Sequence, residues 1–289
     1  AYRNEDDLYA LARGVDWRLW ITPRHTLRVD TTAQHSPLRS LNFAALRIKD
    51  AVCDALREAT GERPSVDTRR PDLQLVLHLG PQDATLYVDS SGESLFKRGW
   101  REDKGDAPLK ETLAAAMIAA SGWAEGDDDL LPLYDPCCGS GTIAIEAAQV
   151  ACNIAPGSLR RFAFEKFLPF QSHVWAGIQQ EAAAAVRLPP AGSEPLVFGS
   201  DVSHRMVDFA QRNAERAGVG DRVRVVRGDI FKEDFSRASV VTLYLLPELN
   251  LQLRPTILAM APGTRIVSYQ FTMAEWEPDQ VIRGTPWDA

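Results

Sequence analysis

The residues best placed to do chemistry lie in Leu133-Tyr134-Asp135-Pro136-Cys137-Cys138-Gly139-Ser140-Gly141-Thr142. A short apolar run reaches Asp135 and Pro136, passes two glycines and enters Ile143-Ala144-Ile145-Glu146-Ala147-Ala148, the pattern of strand, tight loop and helix. Gly139 and Gly141 allow positive φ and a close approach of backbone to ligand. The helix beginning near Thr142 points its first free N–H groups at the same place. A dinucleotide fingerprint needs a further glycine where Ile143 or Ala144 stands, which argues against NAD. The competing reading is a glycine-rich turn in an unrelated α/β domain.

Two further carboxylates follow in step. Leu196-Val197-Phe198-Gly199-Ser200-Asp201 is an apolar strand ending on an acid, the placement that accepts both ribose hydroxyls of an adenosyl cofactor. Asp201 lies further from the glycines than the usual ~20 residues, and an inserted segment over 158–195 accounts for the excess. Val223 to Asp229 is a third strand closing on an acid.

These elements need a sizeable α/β scaffold, and the bulk composition permits one. The chain has 289 residues, 45% hydrophobic and 25% charged, enough for about two globular domains. No apolar run approaches the roughly 18 residues of a membrane span, and Ala1-Tyr2-Arg3-Asn4-Glu5-Asp6-Asp7 lacks signal-peptide character, so a cytoplasmic location is expected. Cys53, Cys137, Cys138 and Cys152 have no C-x-x-C spacing, and the five histidines are scattered, so neither a disulfide framework nor a metal site is expected. A net charge of −7 disfavours indiscriminate nucleic-acid binding but is compatible with a local basic patch for structured RNA.

The first hundred residues read as helix, strand, helix and hairpin. Periodicity predicts helices over 6–20 and 40–59, a strand over 26–30, and paired strands over 73–79 and 84–89 around Gly80-Pro81-Gln82-Asp83. Then Leu95-Phe96-Lys97-Arg98-Gly99-Trp100-Arg101 interleaves cations and aromatics. Lys97, Arg98 and Arg101 could neutralise phosphates while Trp100 stacks a base; equally, this is a solvated turn with Trp100 in the core. Lys104-Gly105-Asp106-Ala107-Pro108 marks a boundary between domains 1–104 and 105–289.

The Asp-Pro-Cys-Cys-Gly-Ser-Gly-Thr stretch at 135–142 resembles the first motif of class I S-adenosylmethionine-dependent methyltransferases, in the form found in bacterial ribosomal RNA methyltransferases. Residues 37–101, with Pro108-Leu109-Lys110-Glu111-Thr112-Leu113-Ala114-Ala115, resemble the THUMP domain and linker of the bacterial 23S rRNA guanine-N2 methyltransferases. The resemblance implies an α/β fold: a smaller α/β THUMP-like RNA-binding domain before a Rossmann-like, doubly wound, mainly parallel methyltransferase domain. It implies S-adenosyl-L-methionine as cofactor, held by Asp135, Cys137, Gly139, Ser140, Gly141, Thr142, Asp201, Val202, Asp229 and Ile230, with Leu109 and Lys110 beside it. Asp229 would meet the adenine amino group and Ile230 or Phe231 its ring. In that family a ferredoxin-like segment precedes THUMP and a hairpin closes the sheet, and both are expected to lie outside this chain.

The acceptor side departs from the pattern. The guanine-N2 family orients its amine with Asn-Pro-Pro-Tyr after the fourth strand, whereas the corresponding place here reads Thr242-Leu243-Tyr244-Leu245-Leu246-Pro247-Glu248-Leu249-Asn250. From about Asp221 the chain resembles another class I branch that includes protein lysine methyltransferases. Tyr244, Pro247 and Asn250 are the catalytic candidates, with Glu248 a further group able to orient an amine; alternatively Tyr244 only packs under the cofactor. The leading expectation is methyl transfer to a guanine N2 of 23S rRNA. The alternatives are a protein lysine methyltransferase and an RNA-binding protein without turnover.

Overall fold

A computed structural model describes residues 1–124, 131–190 and 192–283. They form two compact units, the described residues of 1–94 with 161–177, and those of 95–160 with 178–283. The division at 94/95 precedes the expected 104/105, because residues 95–103 place Trp100 in the second unit's core.

In the first unit, α1 (Glu5–Arg13) starts at Asn4, whose side chain accepts from the backbone N–H groups of Asp6 and Asp7. Gly14 ends it, and Trp17 begins a separate turn with its indole N–H donating to Ala12 O at 2.8 Å, so the single helix expected over 6–20 is two pieces. After β1 (Thr26–Ala33), α2 (Leu41–Thr60) runs from Ser40 as N-cap to Gly61 in the left-handed region. With β2 (Ser65–Val66), β3 (Leu73–Leu79) and β4 (Ala84–Val88), the sheet order is β2-β1-β3-β4; β3 pairs parallel to β1 and antiparallel to β4. Leu73, Leu75, Leu77 and Leu79 alternate onto one buried face against Ala44, Ile48, Ala51 and Val52 of α2. In the inserted segment, Phe164 meets Trp175 edge-on at 5.0 Å, and Phe167 meets Trp20 at 5.9 Å. These aromatics pack the first unit.

The second unit carries α3 (Glu111–Ala120), β5 (Leu133–Asp135), α4 (Thr142–Ala151), α5 (Ser172–Ala184, shared with the first unit's segment), β6 (Val197–Asp201), α6 (His204–Arg216), β7 (Val223–Arg227), β8 (Val240–Leu243), α7 (Pro247–Leu258) and β9 (Arg265–Ser268). The sheet is parallel throughout, in the order β7-β6-β5-β8-β9. Strand order reverses between β5 and β8, and a doubly wound sheet opens its ligand crevice at the carboxyl ends of such strands. β8 is buried along its whole length, as a central parallel strand requires.

Candidate active site

The loop after β5 is held from both sides. Cys138 N–H donates to Ser200 O at 2.9 Å, Ser200 Oγ donates to Pro136 O at 3.1 Å, and Gly139 N–H donates to Asp201 Oδ2 at 3.1 Å. Gly141 has φ +88°, and a Cβ there would lie 3.0 Å from the Ala210 Cβ, so this position admits only glycine without strain. Gly139, at φ +52°, faces open space: no atom lies within 4 Å of where its Cβ would stand. One glycine packs the loop onto α6; the other leaves room for a ligand.

Beside this loop lies a cavity of about 220 Å³ walled by Asp135, Cys137, Gly139, Ser140, Thr142, Asp201 and Tyr244 together with Gly105 to Leu109 and Met206. Asp201 stands at the end of β6 with Oδ1 accepting from Ser203 N–H at 2.8 Å, which fixes the carboxylate toward the cavity rim. Asp135 is buried, and burial raises its pKa to about 7; the nearby Asp201 pushes the same way, while the N–H groups of Cys137 and Ala144 oppose. Burial also raises the Cys137 thiol to about 12 and Cys138 well above the ordinary thiol range, which makes both poor nucleophiles.

Three of the expected contacts fall elsewhere. Val202 points outward at 67% exposure, and Ile230 packs with Phe235 and Val241 in a separate apolar cluster. Asp229 does not line the cavity; its Oδ1 accepts from Phe231 N–H at 3.1 Å, which with Lys232 holds its pKa low. Among the catalytic candidates only Tyr244 borders the cavity, 5.8 Å from the Tyr269 ring. Pro247 is exposed at the first turn of α7, and Asn250 is fully buried and does not line the cavity.

The basic loop is corrected more sharply. Trp100 is 1% exposed and cannot stack a base. Arg98 pairs with buried Glu146 at 3.1 Å, and Arg101 with buried Glu111 at 2.7 Å, so both cations are spent on internal carboxylates. Lys97 remains exposed. The spacing of the loop carried no sign of these partners. Asn213 was missed although its position was legible: a polar residue on the buried stripe Val207, Ala210, Ala214 of α6. Its side-chain amide donates to Ser140 O at 3.0 Å and to Asp103 O at 2.8 Å, tying α6 to the glycine loop.

Among the described residues no group of three or more His, Cys, Asp or Glu is arranged to hold a metal, and no helix is long and apolar enough to cross a membrane.

Comparison with known proteins agrees with this architecture. Residues 2–89 match the THUMP domain family. The chain is similar to the ribosomal RNA large subunit methyltransferase K/L of Shewanella pealeana, 42% identical over 215 residues, covering 74% of this chain and 30% of that protein. The protein of the same name from Psychromonas ingrahamii is 41% identical over 216 residues, 74% of this chain and 28% of the relative. The chain therefore spans about a third of the length of these relatives. Among solved structures, a predicted N6-adenine-specific DNA methylase from Listeria monocytogenes superposes with TM-score 0.75 at 27% identity, over 90% of this chain and 70% of that one. SMU.472, assigned as a methyltransferase and solved in complex with SAH, gives 0.76 at 26% identity, over 92% and 72%. The fold is that of a class I methyltransferase preceded by a THUMP domain. Residues 98–242, half of the chain, match the family described as RMKL-like, methyltransferase domain, and the chain belongs to that family.

Proposed function

We propose that the chain is a cytoplasmic S-adenosylmethionine-dependent methyltransferase acting on a guanine N2 of 23S rRNA. The observation that carries the cofactor is the cavity in which an open glycine, Gly139, and a strand-end carboxylate, Asp201, face the same space. That pairing fits an adenosyl ligand: the Asp201 oxygens would accept the ribose hydroxyls, and Gly139 would let backbone approach the amino-acid part. The cofactor supplies a methyl group on a sulfonium. The protein's share is positioning. Tyr244 at the cavity wall would accept a hydrogen bond from the acceptor amine and hold its lone pair in line, and segment 105–109 would keep water from the site. The RNA assignment is supported by the THUMP match and by the names of the relatives.

A second reading rests on one feature. Tyr244-Leu245-Leu246-Pro247 stands where the rRNA family has Asn-Pro-Pro-Tyr, and a phenol serves a lysine amine as well as a base amine. The experiment is transfer of labelled methyl from S-adenosylmethionine to unmodified 23S rRNA and to protein extract. Label on guanine N2, released by ribonuclease, supports the proposal. Label that survives ribonuclease and stays with protein overturns it in favour of lysine methylation. A chain that binds S-adenosylhomocysteine and RNA but transfers to neither is an RNA-binding protein without turnover.

A further inference from the structure

The wall of the cavity is built from two stretches that are far apart in function: segment 105–109, which leads into α3, and the glycine loop. One side chain touches both. Arg101 Nε donates to Glu111 Oε1 at 2.7 Å, Nη2 donates to Leu109 O at 3.2 Å and to Thr142 Oγ1 at 2.6 Å, and Nη1 donates to Ser140 Oγ at 3.1 Å. Leu109, Ser140 and Thr142 all line the cavity, and Arg101 does not. We propose that Arg101 is a positioning residue, a clamp that sets the separation of the two cavity walls and thereby the affinity for the adenosyl cofactor.

The chemistry of the guanidinium makes it suited to this. Its donors lie in one plane at fixed angles, so four acceptors on three segments are held in a single geometry; a lysine ammonium offers a point charge and cannot reproduce the fork. The Glu111 carboxylate balances the charge, so the clamp stays buried without a ligand. The same molecule provides an internal control. Arg98 has a similar side-chain exposure, 11% against 12%, and also meets a buried carboxylate, donating from Nε and Nη2 to the two oxygens of Glu146, yet its contacts are Glu146 and Leu95 O, neither of which lines the cavity. Both arginines hold structure, and only one holds the site.

The inference rests on the cofactor reading above, and the experiment separates the two. S-adenosylhomocysteine is titrated calorimetrically into the full chain and into Arg101→Gln, Arg101→Lys and Arg98→Gln, with a thermal melt for each. Both Gln variants should melt lower than wild type. Arg101→Gln should bind at least about tenfold more weakly and Arg101→Lys about threefold more weakly, the lysine keeping Glu111 and losing the fork, while Arg98→Gln binds within about twofold of wild type. Equal binding by wild type and Arg101→Lys, or equal loss in Arg98→Gln and Arg101→Gln, would overturn the clamp. Should Arg101→Gln fail to fold, Arg101→Lys against Arg98→Gln decides alone. A folded wild type that binds no S-adenosylhomocysteine sinks the cofactor reading itself, and the clamp with it.

Discussion

The polar groups that touch the glycine loop and those of β8 and α7 are satisfied differently, although Gln149 Oε1, further along α4, also lacks a partner among the described residues. On the β5–α4 side, buried Ser140, Thr142 and Asn213 each have hydrogen-bond partners in neighbouring segments, and Asp135 takes the N–H groups of Cys137 and Ala144. On the β8–α7 side, Thr242 Oγ1 and both amide atoms of Asn250 are buried and find no hydrogen-bond partner among the described residues. A satisfied polar network is rigid and holds a site in shape before any ligand arrives, whereas an unpartnered buried amide is a cost with no positional return. The cofactor side is preorganised, and the acceptor side presents only Tyr244 to the cavity.

That contrast can be broken or sharpened by substitution. The largest effect is expected at Gly141: an alanine there must hold φ +88° and press on Ala210 at 3.0 Å. Strain and overpacking together should cost about 3 kcal/mol and weaken S-adenosylhomocysteine binding. Chemical denaturation and titration of Gly141→Ala would measure both, and a variant as stable as wild type would mean that the loop is not packed on α6 as described.

The next effect is a pH slope. Burial raises the Asp135 pKa from 3.8 to about 7, so the native state holds a proton that the unfolded chain releases near pH 4. Asp135 therefore favours the fold fully below its unfolded pKa, and that contribution is lost as pH rises through about 7. Subtracting the stability curve of Asp135→Asn from that of wild type should leave a difference falling between about pH 4 and 7 and flat above. A difference that rises with pH would mean an ionised, stabilised Asp135.

The smallest effect is predicted at Asn250. Replacing an unpartnered buried amide by an apolar side chain of similar size removes a desolvation cost without leaving a partner stranded. Asn250→Leu should change stability by no more than about 1 kcal/mol, with gain as the favoured direction. Its methyl-transfer rate should match wild type. A rate collapse with an unchanged melt would restore Asn250 to the chemistry.

The same contrast explains what could be read from the chain. The placement of the glycine loop and Asp201 at the cavity was legible because its signals are local: a glycine that tolerates positive φ and an acid at a strand end declare themselves within ten residues. Arg98 and Arg101 were not, because a cation's role is set by the carboxylate that meets it, and Glu146 lies 48 residues on from Arg98 and Glu111 ten on from Arg101. Trp100 offered both readings, and burial decides for the core. Asn250 was misplaced among the acceptor-side candidates, because it was read as part of the loop after the fourth strand. Pro247 and Glu248 were the available signal, a proline and an acid suited to a helix's first turn, and starting α7 there turns Asn250 inward.

The central claim is that Asp201 and the glycine loop form an adenosyl site. Calorimetric titration of S-adenosylhomocysteine into wild type and Asp201→Ala tests it most directly. The account predicts one saturable site in wild type and affinity at least about tenfold weaker in the variant, with both chains folded. Equal affinity in the two, or no binding by a folded wild type, would contradict it.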